Sequence, residues 1–200
     1  MSLKKVPGPS HRRKNSPRGK ILWAFLLLFV AAGILHHAWT QRQYTLREEE
    51  LLPLLRETAD SYQLSPALVR ALIWKESHFR PNAVGSKGEI GLMQITDGAV
   101  TDWARVHKCD SPTRKRLFQP STNLEIGCWY LSQAQKHWEG YASQDILQLA
   151  EYNAGRAQVL RNWAPKEPTQ PIDVTDISFD STQDYIRKIL DRKKHYELHP

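Results

Sequence analysis

The stretch IWKESHFRPNAVGSKGEIGLMQIT, residues 73–96, sets a single glutamate near the end of an apolar helix and follows it with a glycine-punctuated loop. Just upstream, Ser65 and Pro66 read as the N-cap and first helical residue. Serine there accepts an N–H from the first turn, and proline has none to leave unpaired. In the ALVRALIWKESHF that follows, Leu68, Leu72 and Glu76 recur at spacings of four, with Val69 and Ile73 alongside. Glu76 therefore shares a helix face with apolar residues. Partial removal from water and the negative end of the helix dipole both disfavour its ionised form. A carboxylic acid kept protonated near neutral pH is suited to general-acid work. The competing reading is an ordinary carboxylate solvated at a helix end.

Gly85, Gly88, Gly91 and Gly98 give the following loop backbone freedom that other residues lack, as a loop approaching a ligand needs. Taken singly, Gly85 and Gly98 read equally well as turn markers. Four blocks then occur in order: ESHFRP from 76, GEIGLMQ from 88, NLEIGCWYL at 123–131 and AEYNAG at 150–155. Together they resemble the lytic transglycosylase family with the goose-lysozyme-like fold, over roughly residues 50 to 190.

The resemblance implies a mainly α-helical, lysozyme-like domain with Glu76 as its catalytic residue. It places Tyr152 and Asn153 beside the acid as substrate-binding residues, and Tyr185 with them. Gln94 and Met93 are expected to orient the sugar and Ser77 to support Glu76; Met93 also reads as core, and Ser77 as a helix terminator. Gly88 and Gly91 match the family loop, and the block at 123–131 is structural there, so Asn123 and Gly127 read as packing and turn residues. Two departures stand out. Where the family commonly has glutamate–threonine and then tyrosine–valine, this chain has Ser181 and Thr182, then Tyr185 and Ile186. Where many members have a small residue after the loop glycine, it has Glu89.

Most glycoside hydrolases need a second carboxylate. The family resembled here does without one: its glutamate protonates the bridging oxygen and then acts as base toward the 6-hydroxyl of N-acetylmuramic acid. A 1,6-anhydro end forms, and no cofactor is required. Holding the attacking hydroxyl in the same molecule supplies a large proximity advantage. Glu89 reads as an exposed charge or, if it faces the cleft, as a possible second carboxylate for simple muramidase hydrolysis. A third reading is a membrane-tethered peptidoglycan-binding scaffold. No metal is expected, because the eight histidines are scattered and His36 and His37 stand at a membrane edge.

Charge and hydropathy organise the rest. Residues 1–20 hold seven of the 28 basic residues and no acid; the other 21 are matched by 21 acidic ones, so the whole +7 excess lies in this tail. That excludes a basic nucleic-acid-binding domain, and the tail offers too little apolar surface to fold. From Ile21 to Leu35 run fifteen uncharged, mostly apolar residues, and the whole span 21–40 is without a formal charge. This is about enough for one membrane-crossing helix. The preceding cations and Trp39 favour the tail on the cytoplasmic side and the domain outside. A cleaved signal peptide is the alternative, although no small-x-small site or lipidation cysteine follows. The domain reading is thus 1–20 basic tail, 21–40 signal anchor, 41–50 juxtamembrane connector and 51–196 catalytic domain.

Within the connector, Glu48, Glu49 and Glu50 read as a solvated face, and Pro53 as a helix start or kink. Trp103 reads as core or groove wall, and Arg114, Lys115 and Arg116 as a solvated patch or one attracted to anionic wall polymers. Cys109 and Cys128, the two cysteines, are compatible with a disulfide in an exported domain or with a buried thiol at Cys128. SQDILQLAEYNAG reads as a short helix ending at Gly155, residues 168–179 as extended, and STQDYIRKIL onward as a C-terminal helix that buries Tyr185, Ile186, Ile189 and Leu190.

Overall fold

A computed structural model describes the backbone of residues 17–200 and the side chains of residues 21–200. The basic tail read at 1–20 lies outside the described residues, apart from the backbone of its last four. Helix α1 spans Pro17–Ser61, and the chain divides into two compact units between Gln43 and Tyr44. In the first unit the side chains from Ile21 to Ala38 are exposed, and an 18-residue window starting in this apolar run has a mean hydropathy of 2.1. By length and composition that segment is able to cross a membrane.

The second unit begins with the last part of α1 and continues through α2 (Pro66–Ser77), α3 (Asp97–His107), α4 (Arg114–Leu117), α5 (Pro120–His137), α6 (Gln144–Ala154), α7 (Arg156–Asn162) and α8 (Asp180–Leu198). No β-strand occurs among the described residues; the backbone pairs only through isolated bridges, Val84 with Ile90 and Ile90 with Ile95. The mainly α, lysozyme-like class expected from the sequence is what the chain adopts.

Local chemistry explains the elements that matter. Ser65 Oγ accepts from Leu68 N at 3.3 Å and Pro66 opens α2. The helix stops where His78 enters the left-handed region at φ 51°, with its N–H on the Trp74 carbonyl. Leu68, Val69, Leu72 and Ile73 are buried, and α2 packs on α8, which contributes Ile186 and Ile189. Each such side chain contributes about 1.5–3 kcal/mol by leaving water. Behind them α5 packs against α6 and α3, with Leu124, Ile126 and Leu131 fully buried.

Several expectations are corrected here. Residues 41–50, read as a juxtamembrane connector, are helical and continuous with α1. Glu48 is not solvated: it is buried, and its Oε1 accepts from Arg70 Nε at 2.7 Å. Pro53 lies inside α1. It and Glu49, whose carbonyl loses its partner, are both exposed, so water is at hand where the bond is missing. Cys109 is exposed and Cys128 buried, and both thiols are free. Burial pushes the Cys128 thiol well above its usual range, as expected for an inert core residue.

Candidate functional site

Glu76 occupies the last turn of α2, where the apolar face of the helix has already been drawn into the core. The packing of α2 on α8 brings Tyr185, 4 % exposed, against it, and the phenol donates to Glu76 Oε1 at 2.6 Å. Burial raises the Glu76 carboxyl to about pH 7; the Tyr185 hydrogen bond and the Lys75 charge oppose that rise, and the Glu89 charge adds slightly to it. The Lys75 ammonium lies 5.4 Å from the Tyr185 ring centroid. Tyr185 itself is pushed well above the usual phenol range by burial and by Glu76, so it remains a donor.

The loop after α2 is held by Asn123 of α5. Its side chain is fully buried; Nδ2 donates to the carbonyls of Ile90 and Leu117 at 2.9 Å, and Oδ1 accepts from Met93 N at 2.9 Å. Gly91, at φ 79°, is required beneath it, since a Cβ there would meet Asn123 Nδ2 at 2.2 Å. Gln94 takes a left-handed conformation, φ 49°, and its Nε2 donates to the Gly91 carbonyl at 3.0 Å. Gly85 does more than mark a turn: a Cβ on it would lie 2.3 Å from Glu89 Oε2 and 2.7 Å from Gln94 Oε1. Both side chains lie over that glycine, and Glu89 Oε2 accepts from Lys87 N at 3.0 Å.

Two cavities adjoin at Gln94. One, of about 500 Å³, is lined by Glu76, Gln94, Arg47, Arg80 and the Pro81–Val84 turn. The other, of about 240 Å³, is lined by Gln94, Thr96, Tyr130, Tyr152 and Asn153 among others. Tyr152 donates to the Met93 carbonyl at 2.9 Å, tying α6 to the loop, and its ring meets Tyr130 edge-on at 5.7 Å. Asn153 is exposed, and its Oδ1 accepts from Thr182 Oγ1 at 2.8 Å.

Glu76 and Gln94 therefore share the larger cavity and Gln94, Tyr152 and Asn153 the smaller, while Tyr185 reaches Glu76 from α8 and Glu89 stands over Gly85 beside them. Ser77 and Met93 are corrected as direct contacts, because both are fully buried. Ser77 Oγ donates to the Ile73 carbonyl one turn back at 3.2 Å, closing the helix. Met93 fills the notch left by Gly127, where a Cβ would stand 2.4 Å from its sulfur. Only the Met93 backbone serves the site, through Tyr152 and Asn123.

Residues 53–173 match the Transglycosylase SLT domain. The chain belongs to this family. It is 30 % identical over 173 residues to the membrane-bound lytic murein transglycosylase C of Yersinia enterocolitica, covering 76 % of this chain and 48 % of that protein. It is 28 % identical over 170 residues to the protein of the same name from Pectobacterium atrosepticum, covering 75 % and 47 %. The chain thus spans about half the length of these relatives. Among solved structures, it resembles an inactive mutant of the lytic transglycosylase Slt from Pseudomonas aeruginosa, with a TM-score of 0.65 at 26 % identity. It likewise resembles the 70 kDa soluble lytic transglycosylase of Escherichia coli, with a TM-score of 0.65 at 25 % identity. Each likeness covers 74 % of this chain and 24 % of the other.

Against that family frame, some residues of this SLT chain carried no sequence signal. Arg47 lies upstream of the matched span and reaches the site only through tertiary packing of α1. Glu151, inside the AEYNAG block, is buried and accepts from His137 Nδ1 at 2.7 Å and Trp138 Nε1 at 2.8 Å, so α6 is pinned to the end of α5. Its place between Ala150 and Tyr152 in an apolar run was the available hint. Thr182 has a visible trace, because it keeps the threonine of the family pair whose glutamate is Ser181 here. His195 and His199 stand four apart with ring centroids 4.8 Å apart, a pairing missed by reading the histidines as scattered.

Proposed function

We propose that the chain is a membrane-anchored peptidoglycan lytic transglycosylase, cleaving the β-1,4 bond between N-acetylmuramic acid and N-acetylglucosamine. The observation that carries this reading is the buried Glu76 carboxyl, raised to about pH 7 and held by Tyr185 at 2.6 Å. Such a group is substantially protonated at neutral pH, so it donates to the bridging oxygen as the C1–O bond breaks. The resulting carboxylate then takes the proton of the muramyl 6-hydroxyl while O6 bonds to C1. Proton and atoms balance without water, and a 1,6-anhydro end results. Gln94, Tyr152 and Asn153 line the groove on either side and are assigned to orienting the strand, with Ser77 and Met93 supporting them from beneath.

Residues 21–40 are assigned as a single-pass anchor with the 1–20 tail cytoplasmic, and residues 51–196 as a catalytic domain on the extracytoplasmic side. The apolar composition of that segment and the naming of the relatives as membrane-bound support this topology.

The test is mass spectrometry of fragments released from purified peptidoglycan by the full chain in detergent micelles, beside Glu76→Gln. Fragments one water lighter than reducing muropeptides, and absent with the variant, are expected. Hydrolysis is a second reading because Glu89 stands over Gly85 beside Gln94 and its charge is felt by Glu76. Reducing ends, lost on Glu89→Gln, would establish it. Binding without release of any fragment would leave a wall-binding scaffold.

A further inference from the structure

Arg47 stands on α1, ahead of the span matched by the family, yet its side chain lines the same cavity as Glu76, Arg80 and Gln94. Its Nε is buried and has no hydrogen-bond partner. A buried donor left unmet is costly, so a shift of the side chain that brings it an acceptor from the cavity is favoured. The guanidinium presents N–H groups in a planar fork that matches a carboxylate. Glu48, the next residue, is taken up by Arg70 on another face.

The surroundings are cationic on this side of the groove. Arg80 lines the cavity with its Nε fixed on the Ser77 carbonyl at 2.9 Å. Burial disfavours protonation of His78, and the nearby charges of Arg80, Lys75, Arg192 and Arg47 add to that. The acid that lines the same space is Glu76; Glu89 stands nearby over Gly85, where its carboxylate receives the Lys87 N–H. The Tyr130–Tyr152 side carries no such excess among its lining residues.

We propose that Arg47 is a specificity-determining residue that receives a carboxylate carried on the muramyl unit of the glycan, with Arg80 flanking it. This deepens the reading above and rests on it for the nature of the ligand. Two sources offer that chemistry: the lactyl group of the muramyl sugar once its peptide is gone, and the free carboxylates of an attached peptide stem.

The test is binding of tetrasaccharide probes to the full chain in detergent micelles, in a Glu76→Gln background that prevents turnover. Three probes share one glycan: with intact stems, with stem carboxylates amidated, and with stems removed to leave the lactyl carboxylate. Arg47→Ala should weaken at least one of the two carboxylate probes about tenfold, equivalent to about 1.4 kcal/mol. It should leave the amidated probe unchanged, and Arg47→Lys should restore part of the loss. Loss confined to intact stems assigns the stem; loss on the stemless probe assigns the lactyl group. Equal weakening of the amidated probe, no weakening of any, or no binding of any probe by the Glu76→Gln parent overturns the proposal. Arg47-dependent binding by a chain that releases no anhydro product would leave this assignment standing while the proposed reaction fails.

Discussion

The Tyr185 phenol donates to Glu76 Oε1 at 2.6 Å across the α2–α8 contact, so the residue that positions the acid also restrains its proton affinity. Burial draws the carboxyl upward and this hydrogen bond draws it down, because the bond is made to the charged form. The position near pH 7 is the outcome of that opposition.

Tyr185→Phe removes the lowering contribution alone. The alkaline limb of the kcat/KM profile, which reports the acid in the free protein, should lie near pH 7 in the parent. In the variant it should move to higher pH by about one unit, as a hydrogen bond to a charged group worth ~1.5 kcal/mol implies. The maximal rate should fall at the same time, because the carboxyl is no longer aimed. A limb that stays in place, or moves toward acid, would show that Tyr185 does not act on the Glu76 proton.

Glu76 also costs stability at high pH. Its carboxyl rises from 4.5 to about 7 on folding, so the folded state binds the proton more tightly than the unfolded chain. The resulting stabilisation is fully present below pH 4.5 and is lost as pH rises to about 7, amounting to about 3 kcal/mol. Glu76→Gln titrates nothing in this window. Unfolding in urea should show the variant gaining on the parent between pH 4.5 and 7 and holding a constant lead above it. A stability difference independent of pH would contradict the raised carboxyl.

What was legible in the chain was what depends on near neighbours. The Ser65–Pro66 start of α2 and the apolar face that carries Glu76 follow from periodicity and capping, and both stand in the structure. Tyr152, Asn153 and Tyr185 were legible only through the motif pattern, since each reaches the groove from a helix distant in sequence. Glu48 was read as solvated because its neighbours Glu49 and Glu50 are; its partner Arg70 lies 22 residues away, and no local rule selects it. Arg47 was invisible for the same reason. Ser77 and Met93 show the opposite error: they sit in site motifs, but 0 % exposure of each places their side chains under the groove.

Asn123 is where the loop is most vulnerable. Its replacement by alanine would strand the Met93 N–H and the Leu117 carbonyl in a fully buried place, while the Ile90 carbonyl would keep its bond from Ile95 N. Each unmet group costs about 1–3 kcal/mol, so a loss of at least ~2 kcal/mol is expected in equilibrium unfolding. Gly91→Ala attacks the same junction from the other side, combining a left-handed φ of 79° with a Cβ only 2.2 Å from Asn123 Nδ2. Because Tyr152 hangs on the Met93 carbonyl and Gln94 on the Gly91 carbonyl, both variants should loosen the groove before the helices melt. Hydrogen exchange should show faster opening confined to residues 85–96 in Gly91→Ala at temperatures where α5 and α8 remain protected. Uniform loss of protection across the domain would mean instead that the loop is part of the folding core.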